Sequence, residues 1–390
     1  MRARLERDFA RFGRELPRDF PAYVRDTYRI DLSACYLGEP LAHPIGKGSG
    51  QLSLNEKQLA EDAAAGLAFI VLKTVIAQDE SGAQSMAAWA IHETRMRVEQ
   101  RASALGRAGW TVTWKGRGWD GTLADYLALV RAGRDLTRGG GPLVVPSVKY
   151  HLPRSTEPFR DGEYRFTTRA LTEAWGSPEP LLVEKDFSPT LAGDSLAEDR
   201  AAILRWLREV PAEIRRASPV PVRLAMKLMN ARFDDAFQVE MIRASAGADW
   251  LVVFNRLFDA RAGVAYGGWD LSDRNLSVLD ALRASAAASG GPANPPTRLT
   301  GTGNVCSGRV LLEYARRGCE SVQLHTFFQL PLGEYPATQG SRTQRALHTL
   351  VFHPENGLLA GLLRLEARGQ LERRDGMLHF LDVARAHRPR

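Results

Sequence analysis

LTGTGNVCSGRVLLEYARRGCESVQLHTFF, residues 299–328, decides how the rest of the chain is read. A short apolar strand runs into Gly301-Thr302-Gly303-Asn304. Ser307 then stands as an N-cap ahead of the amphipathic RVLLEYARR, and Gly318 ends the helix it starts. A second apolar run, SVQLH at 321–325, follows and stops at His325-Thr326. Strand, glycine turn, helix and strand make the repeating unit of a parallel α/β fold. Glycines at such a turn let backbone N–H groups approach a phosphate with no Cβ between them. In α/β barrels the loops after the last two strands often form that cradle. An ordinary tight strand-to-helix turn needs the same residues, so the weight comes from where this unit stands in the chain.

Working back from it, apolar runs at 43–46, 68–74, 143–148, 181–185, 222–228 and 250–254 precede 298–301 and 321–325, eight candidate strands in all. Helical segments, among them 55–65, 196–209, 235–246, 275–288 and 308–317, separate them. Eight such units predict a single (β/α)8 TIM barrel over 31–369, with an open doubly wound sheet as the rival. Residues 1–30 form an N-terminal helical extension in which Leu5, Phe9, Phe12 and Leu16 recur at helical spacing. That face packs on the body or lies on a membrane surface. Residues 31–42 read as a short hairpin with Gly38 in its turn, and 370–390 as a tail with a hairpin about Asp375-Gly376. Two long insertions belong over the C-terminal mouth. Residues 76–142 hold a long helix near 82–105, a strand at 111–114 and a helix near 122–132; 149–170 is the second. The Gly/Pro/Ala-rich stretch 284–297 reads as a loop.

Composition bounds the function. The 390 residues carry 44% hydrophobic and 25% charged side chains, enough for a large core, and no run approaches the ~20 apolar residues of a membrane span. The opening MRARLERDFARFGREL lacks the apolar run of a signal peptide. Cys35, Cys306 and Cys319 have no metal-ligand spacing, and so sparse and odd a count fits a reducing cytoplasm. Net charge is +7, but arginines are interspersed with acids and no basic block interleaved with aromatics argues for nucleic acid. His43, His151 and His325 lie near strand ends without an HxH or HExxH pattern, so no metal site is expected.

Two lysines carry the chemistry. In 222–228 the apolar Val222, Leu224, Met226 and Leu228 share one face, which leaves Lys227 pointing into the barrel near its mouth. Lys73 ends the run FIVL in the same way. A lysine buried there needs an anion to meet it. Asn255 ends WLVVFN and either binds a polar ligand or caps a loop. Tyr266-Gly267-Gly268 reads as a second glycine loop over the mouth, and Ser188-Pro189 follows LLVEKD.

These segments together resemble the dihydroorotate dehydrogenase family of FMN-dependent barrels, most nearly its soluble class 1 members. The resemblance runs from about 31 to 350 and is strongest at 222–328, through AMKLMNARFDD, VVFN, YGG, LTGTGNVCSG and VQLHTFF. LAFIVLKTV and PSV at 146–148 add to it. It implies FMN as cofactor. Lys227 would meet the flavin pyrimidine edge and Lys73 would lie between flavin and substrate, with Thr74 beside it. Gly46, Ser49 and the rest of Gly46–Gly50 would lie along the isoalloxazine ring. Gly267 and Gly268 would flank the ribityl chain, and Gly303, Asn304, His325 and Thr326 would hold the phosphate. Ser188 falls where the family places its proton-abstracting base, with Lys73 and Lys227 completing the catalytic set. Asn255, Lys185 and Trp114 would face the substrate. The family's orotate-binding asparagines are missing from WKGRGWDG at 114–121 and EKDFSPT at 184–190, so the substrate expected is a small cyclic or planar molecule other than orotate. An electron donor or acceptor of unspecified kind is implied, and a homodimer is allowed. Two rival readings stand beside this one. One is an RNA dihydrouridine synthase-like flavoenzyme, which lacks its catalytic cysteine here; the other is a non-flavin barrel lyase using Lys73 or Lys227 as a Schiff-base amine.

Overall fold

Each apolar run becomes a parallel strand, and together they form one curled sheet in a mixed α/β structure. The computed structural model describes residues 1–87, 97–102, 106, 108–113, 118–154, 156–176, 179–187, 199–231, 233–259, 264–268, 271–288 and 297–386. The strands hydrogen-bond in the order Val75–Ile76, Ser147–Lys149, Leu181–Asp186, Val222–Lys227, Trp250–Val253, Arg298–Thr302, Cys319–Leu324, Ile45–Lys47, Phe69–Val71, Leu143–Val145. Two of the predicted runs are split. Phe69–Val71 passes through residues 72–74 into Val75–Ile76, and Leu143–Val145 passes through Pro146 into Ser147–Lys149. Pro146 has no N–H to give the ladder, but its carbonyl still accepts from Glu184 N at 2.9 Å. The 69–76 run therefore meets the 143–149 run at both ends of the order.

Helices alternate with these strands, and their starts are chemically marked. Asn55, Thr122, Asp199, Asp234 and Ser307 each accept from a backbone N–H in the first turn of the helix they precede, a contact worth ~1 kcal/mol. At the other end of the sheet, the hairpin of Ala34–Tyr36 and Glu39–Leu41 turns through positive φ at Leu37 and Gly38, as predicted. It drives Tyr36 inward. The ring stacks on Phe69 at 4.7 Å and meets Trp250 edge-on at 6.0 Å.

The first insertion differs from expectation. In place of the latter part of a helix over 82–105, Arg97–Ala102 is a strand paired antiparallel with Ala108–Thr113. Ala108–Thr113 pairs in turn with Val264–Gly268, and that with Leu257–Asp259. Tyr266-Gly267-Gly268 is thus strand rather than loop. The partner that makes 108–113 a central strand lies about 150 residues away in sequence, beyond the reach of local periodicity.

The tail differs too. Asp375 and Gly376 make a turn with positive φ, bridged between Arg374 and Met377. The next residues, Leu378–His379, pair parallel with Ile30–Asp31 instead of completing a hairpin, and the helix Phe380–Arg385 follows. Leu378 and Ile30 are both fully buried, so the core outcompetes the local turn. The N-terminal helices Arg2–Phe12 and Phe20–Tyr28 pack on the body. Phe9 stacks on His348 at 4.5 Å, Phe12 meets Phe352 at 5.0 Å, and Asp8 accepts from the hydroxyls of Tyr23 and Tyr28. Among the described residues no helix is long and apolar enough to cross a membrane.

Candidate functional site

At the C-terminal ends of the strands lies a narrow cavity, open to solvent. Its first wall is the loop after Arg298–Thr302. Gly303 and Asn304 turn the chain with φ of +95° and +50°. A Cβ on Gly303 would come within 2.6 Å of Asn275 Nδ2. That amide donates to the carbonyls of Phe254 at 3.1 Å and Thr302 at 2.8 Å. The Tyr314 hydroxyl lies 2.7 Å from the Thr302 carbonyl and 2.9 Å from that of Gly303. The loop's carbonyls are tied down from behind. Among the described residues nothing accepts from the N–H groups of Gly303, Asn304 or Val305, all three of which line the cavity. Successive free N–H groups on such a turn form an anion cradle.

Asn304 serves this wall through its backbone. Its Nδ2 donates to Ser272 Oγ at 3.0 Å, and its Oδ1 would sit 2.8 Å from a Cβ on Gly109. The side chain therefore ties the loop to a neighbouring helix and to the antiparallel sheet. Gly268, at φ +92°, has no room for a Cβ, which would fall 1.7 Å from the Trp110 carbonyl. Gly267, Gly268 and Trp110 bring that sheet onto the cavity as its roof.

The second wall follows the last strand. His325 and Thr326 line the cavity. A Cβ on Gly50 would fall 1.9 Å from His325 Nε2, so glycine is required there for the imidazole to fit. Gln329 Nε2 donates to His325 Nδ1 at 2.6 Å, which leaves the ring proton on Nε2. Desolvation, followed by the charges of Arg256, Lys73, Lys227 and Lys47, pushes the His325 pKa well below its usual value. The imidazole is thus neutral, with Lys227 and Arg256 lining the same cavity.

The floor is built from buried charge. Lys227 Nζ donates to Gln323 Oε1 at 3.1 Å and lies 3.6 Å from Glu184 Oε1. Glu184 accepts from the Tyr36 hydroxyl at 2.8 Å and from Gln323 Nε2 at 2.6 Å. Next to this network, Lys149 Nζ donates to Asp186 Oδ2 at 3.1 Å, both side chains being buried. Burial alone would raise the Asp186 carboxyl, but the ammonium groups of Lys149, Lys227 and Lys185 outweigh it and hold the group below the usual carboxylate range. Burial lowers Lys149, and Asp186 opposes the shift in part.

Nine of the residues read from sequence converge on this one cavity: Ser49, Lys227, Asn255, Gly267, Gly268, Gly303, Asn304, His325 and Thr326. Four others lie elsewhere. Gly46 gives its space to the Phe69 ring, 2.2 Å from where its Cβ would be, and so serves packing inside the sheet. Lys73 is buried behind the wall, near enough for its charge to act on His325. Thr74 is also buried, bonded to Ser49 at 2.8 Å. Lys185 takes the strand parity opposite to Glu184 and Asp186. Its ammonium sits 4.3 Å over the Phe187 ring and bonds the Asp186 carbonyl, away from the cavity. Ser188 and Trp114 lie outside the described residues.

Sequence reading missed Arg256, Trp110, Lys149 and Asp186. Arg256 lines the cavity directly after Asn255, and its position at a strand end was the available signal. Lys149 closes its strand as Lys227 does, and the same parity argument applied one residue further would have found it. Trp110 had no local signal, because its place depends on pairing with 264–268. Among the described residues no three His, Cys, Asp or Glu side chains gather as a metal site. The chain matches no family model and no curated protein.

Proposed function

We propose that this chain is an FMN-dependent oxidoreductase of the dihydroorotate dehydrogenase-like kind, passing hydride between flavin N5 and a small cyclic or planar substrate other than orotate. The observation that carries the reading is convergence. A glycine loop from whose backbone N–H groups nothing among the described residues accepts, a lysine rising from a strand end and a glycine-bearing roof strand meet at one cavity. In this reading the curled sheet is a closed (β/α)8 barrel, with 69–76 and 143–149 each acting as one interrupted strand.

The residues present suit the cofactor. The Gly303–Val305 cradle suits a phosphate, with the neutral His325 and Thr326 as its second wall. The Gly268 strand, which a Cβ would push off Trp110, leaves a flat approach for the chain joining phosphate to ring. Lys227, with Arg256 nearby, suits the anionic edge of a reduced ring. FMN, when bound, supplies the hydride-accepting and hydride-donating centre.

The protein's own contribution is orientation and charge. Lys227 is held at a fixed height by Gln323 and Glu184, so its ammonium needs no rearrangement as negative charge builds opposite it. Asn255 and Arg256 offer a polar and a cationic contact to substrate on one strand end. The resemblance gives proton abstraction to Ser188. The absence of asparagine from 114–121 and 184–190 is the reason to look beyond orotate. The three free cysteines accord with a reducing cytoplasm.

The direct test is colour. The purified protein is expected to be yellow, or to turn so with added FMN, with the two flavin absorbance bands. A colourless protein that refuses FMN overturns the reading. Lys227→Ala should slow flavin reduction by about a hundredfold while the protein remains folded by circular dichroism.

A further inference from the structure

Two helices lie side by side and leave a groove along their outer faces. Gly308–Ala315 and Leu358–Ala367 run in the same direction. A Cβ on Gly308 would fall 2.0 Å from Leu358 N, and one on Gly361 would fall 2.7 Å from Leu312 Cδ2. The Arg309 N–H donates to the Asn356 carbonyl at 2.8 Å and fixes their register. Leu312, Ala360, Gly361 and Leu365 line the groove as its apolar floor, and the N-terminal helix Arg2–Phe12 adds Arg2 and Leu5.

The rim is cationic. Arg309 and Arg316 stand about 10 Å apart along one bank, and Arg364 and Arg368 about 6 Å apart along the other. All four are exposed and line the groove. Among the described residues no carboxylate or other acceptor meets the guanidinium groups of Arg309, Arg364 or Arg368. Two glutamates line the groove as well. Glu313 is already engaged by Arg317 at 2.8 Å and Arg316 at 3.7 Å, which leaves Glu355. Neighbouring arginines outside the groove are paired, Arg317 with Asp280 at 2.7 Å and Arg373 with Glu366 at 2.6 Å. Like charges one helical turn apart repel, so this rim gains from an anionic occupant.

Shape and composition select among anions. No aromatic side chain is among the described residues lining the groove, so a nucleic-acid base has nothing to stack on. A bilayer presents a flat surface to a concave one. A second copy of the chain would bring its own net charge of +7 to a cationic rim. A helix with an apolar stripe between two acidic rows fits the floor and both banks.

We propose that this groove docks an acidic amphipathic helix of a protein partner, its carboxylates meeting Arg309 and Arg316 on one bank and Arg364 and Arg368 on the other. The groove shares no lining residue with the cavity at the strand ends, so the assignment is independent of the flavin reading.

Fluorescence anisotropy tests it with a stapled helical peptide of about four turns, carrying leucines along one stripe and glutamates on both sides. The full-length protein should bind it saturably, and exchanging the peptide's leucines for glutamines should weaken binding about tenfold. Arg309→Glu with Arg364→Glu should weaken it by about tenfold or more. Arg131→Glu with Arg169→Glu makes the same charge change at exposed positions on other helices and should alter binding less than about twofold. Ala367→Trp narrows the groove without changing its charge and should weaken binding about fivefold. Equal losses in the two charge-reversed variants would mean attraction to the basic surface as a whole and would overturn the proposal. So would an absence of saturable binding, tighter groove-dependent binding of a mixed-sequence single-stranded RNA, or a concentration-dependent dimer in sedimentation that Arg309→Glu with Arg364→Glu dissolves.

Discussion

The two sides of the cavity are built from different materials. The wall at 302–306 is backbone: positive-φ residues, carbonyls held from behind by Asn275 and Tyr314, and N–H groups from which nothing among the described residues accepts. The floor at 147, 149, 184, 186 and 227 is buried charge, in which Lys149 and Lys227 stand beside Asp186 and Glu184. A backbone wall tolerates changes of side chain but no added Cβ. A charged floor tolerates changes of shape but not the loss of one member.

Breaking the floor should have the largest effect. Lys149→Ala removes the ammonium 3.1 Å from Asp186 and should cost about 3–5 kcal/mol in urea unfolding. Lys149→Met combined with Asp186→Leu should recover much of that. An equal loss in the single and double variants would show that the pair contributes nothing as a pair. The pH dependence has a definite sign. The Asp186 pKa is depressed on folding, so its support is fully present above the ordinary carboxylate range and drains away as pH falls towards the depressed value.

Gly303→Ala probes the wall. The φ of +95° and the close Asn275 amide leave no space for the methyl group. FMN affinity, read by quenching of flavin fluorescence, should fall by roughly thirtyfold, about 2 kcal/mol, with a smaller change in unfolding midpoint. A larger loss in stability than in affinity would place the strain in the fold rather than the cradle.

Lys185 sharpens the contrast from outside the cavity. Burial, and then the charge of Lys149, depress its pKa well below the usual lysine value, with Asp186 opposing. The unfolded chain then binds the extra proton, so stability should rise as pH climbs from the depressed value towards the ordinary one. Lys185→Met should abolish that rise and gain about 1–2 kcal/mol at neutral pH. A variant whose pH profile matches the wild type would mean that Lys185 is not the source.

The smallest effect is expected of Asn304→Gly. Glycine accepts the same φ, so the bond to Ser272 and the packing against Gly109 are what is lost. Stability should drop by no more than about 1 kcal/mol, and FMN affinity should hold within about threefold. A tenfold loss would show that the amide itself touches the ligand.

The same contrast explains what could be read in advance. The strands stood out as apolar runs, because both faces of a parallel sheet are covered. The turn after the seventh run was legible because its positive φ at 303 calls for glycine. The floor was half legible. Lys227 emerged from the alternation in 222–228, but the reading of 143–148 stopped one residue short of Lys149. Lys185 was assigned to substrate although alternation along 181–186 turns Glu184 and Asp186 inward in its place. The antiparallel roof was legible only in the TVTW strand, since 97–102 and 264–268 become strands by pairing with distant chain rather than by local preference.

The pairing of Ile45–Lys47 with Cys319–Leu324 sets a timetable for biosynthesis. The early strand leaves the ribosome roughly 280 residues before its partner, a delay of about 15–55 s at typical elongation rates. Throughout that interval one edge of the Ile45–Lys47 strand lacks the neighbour that will pair with it. Such a long-range pairing belongs to a high-contact-order assembly, and it cannot close before Cys319–Leu324 arrives.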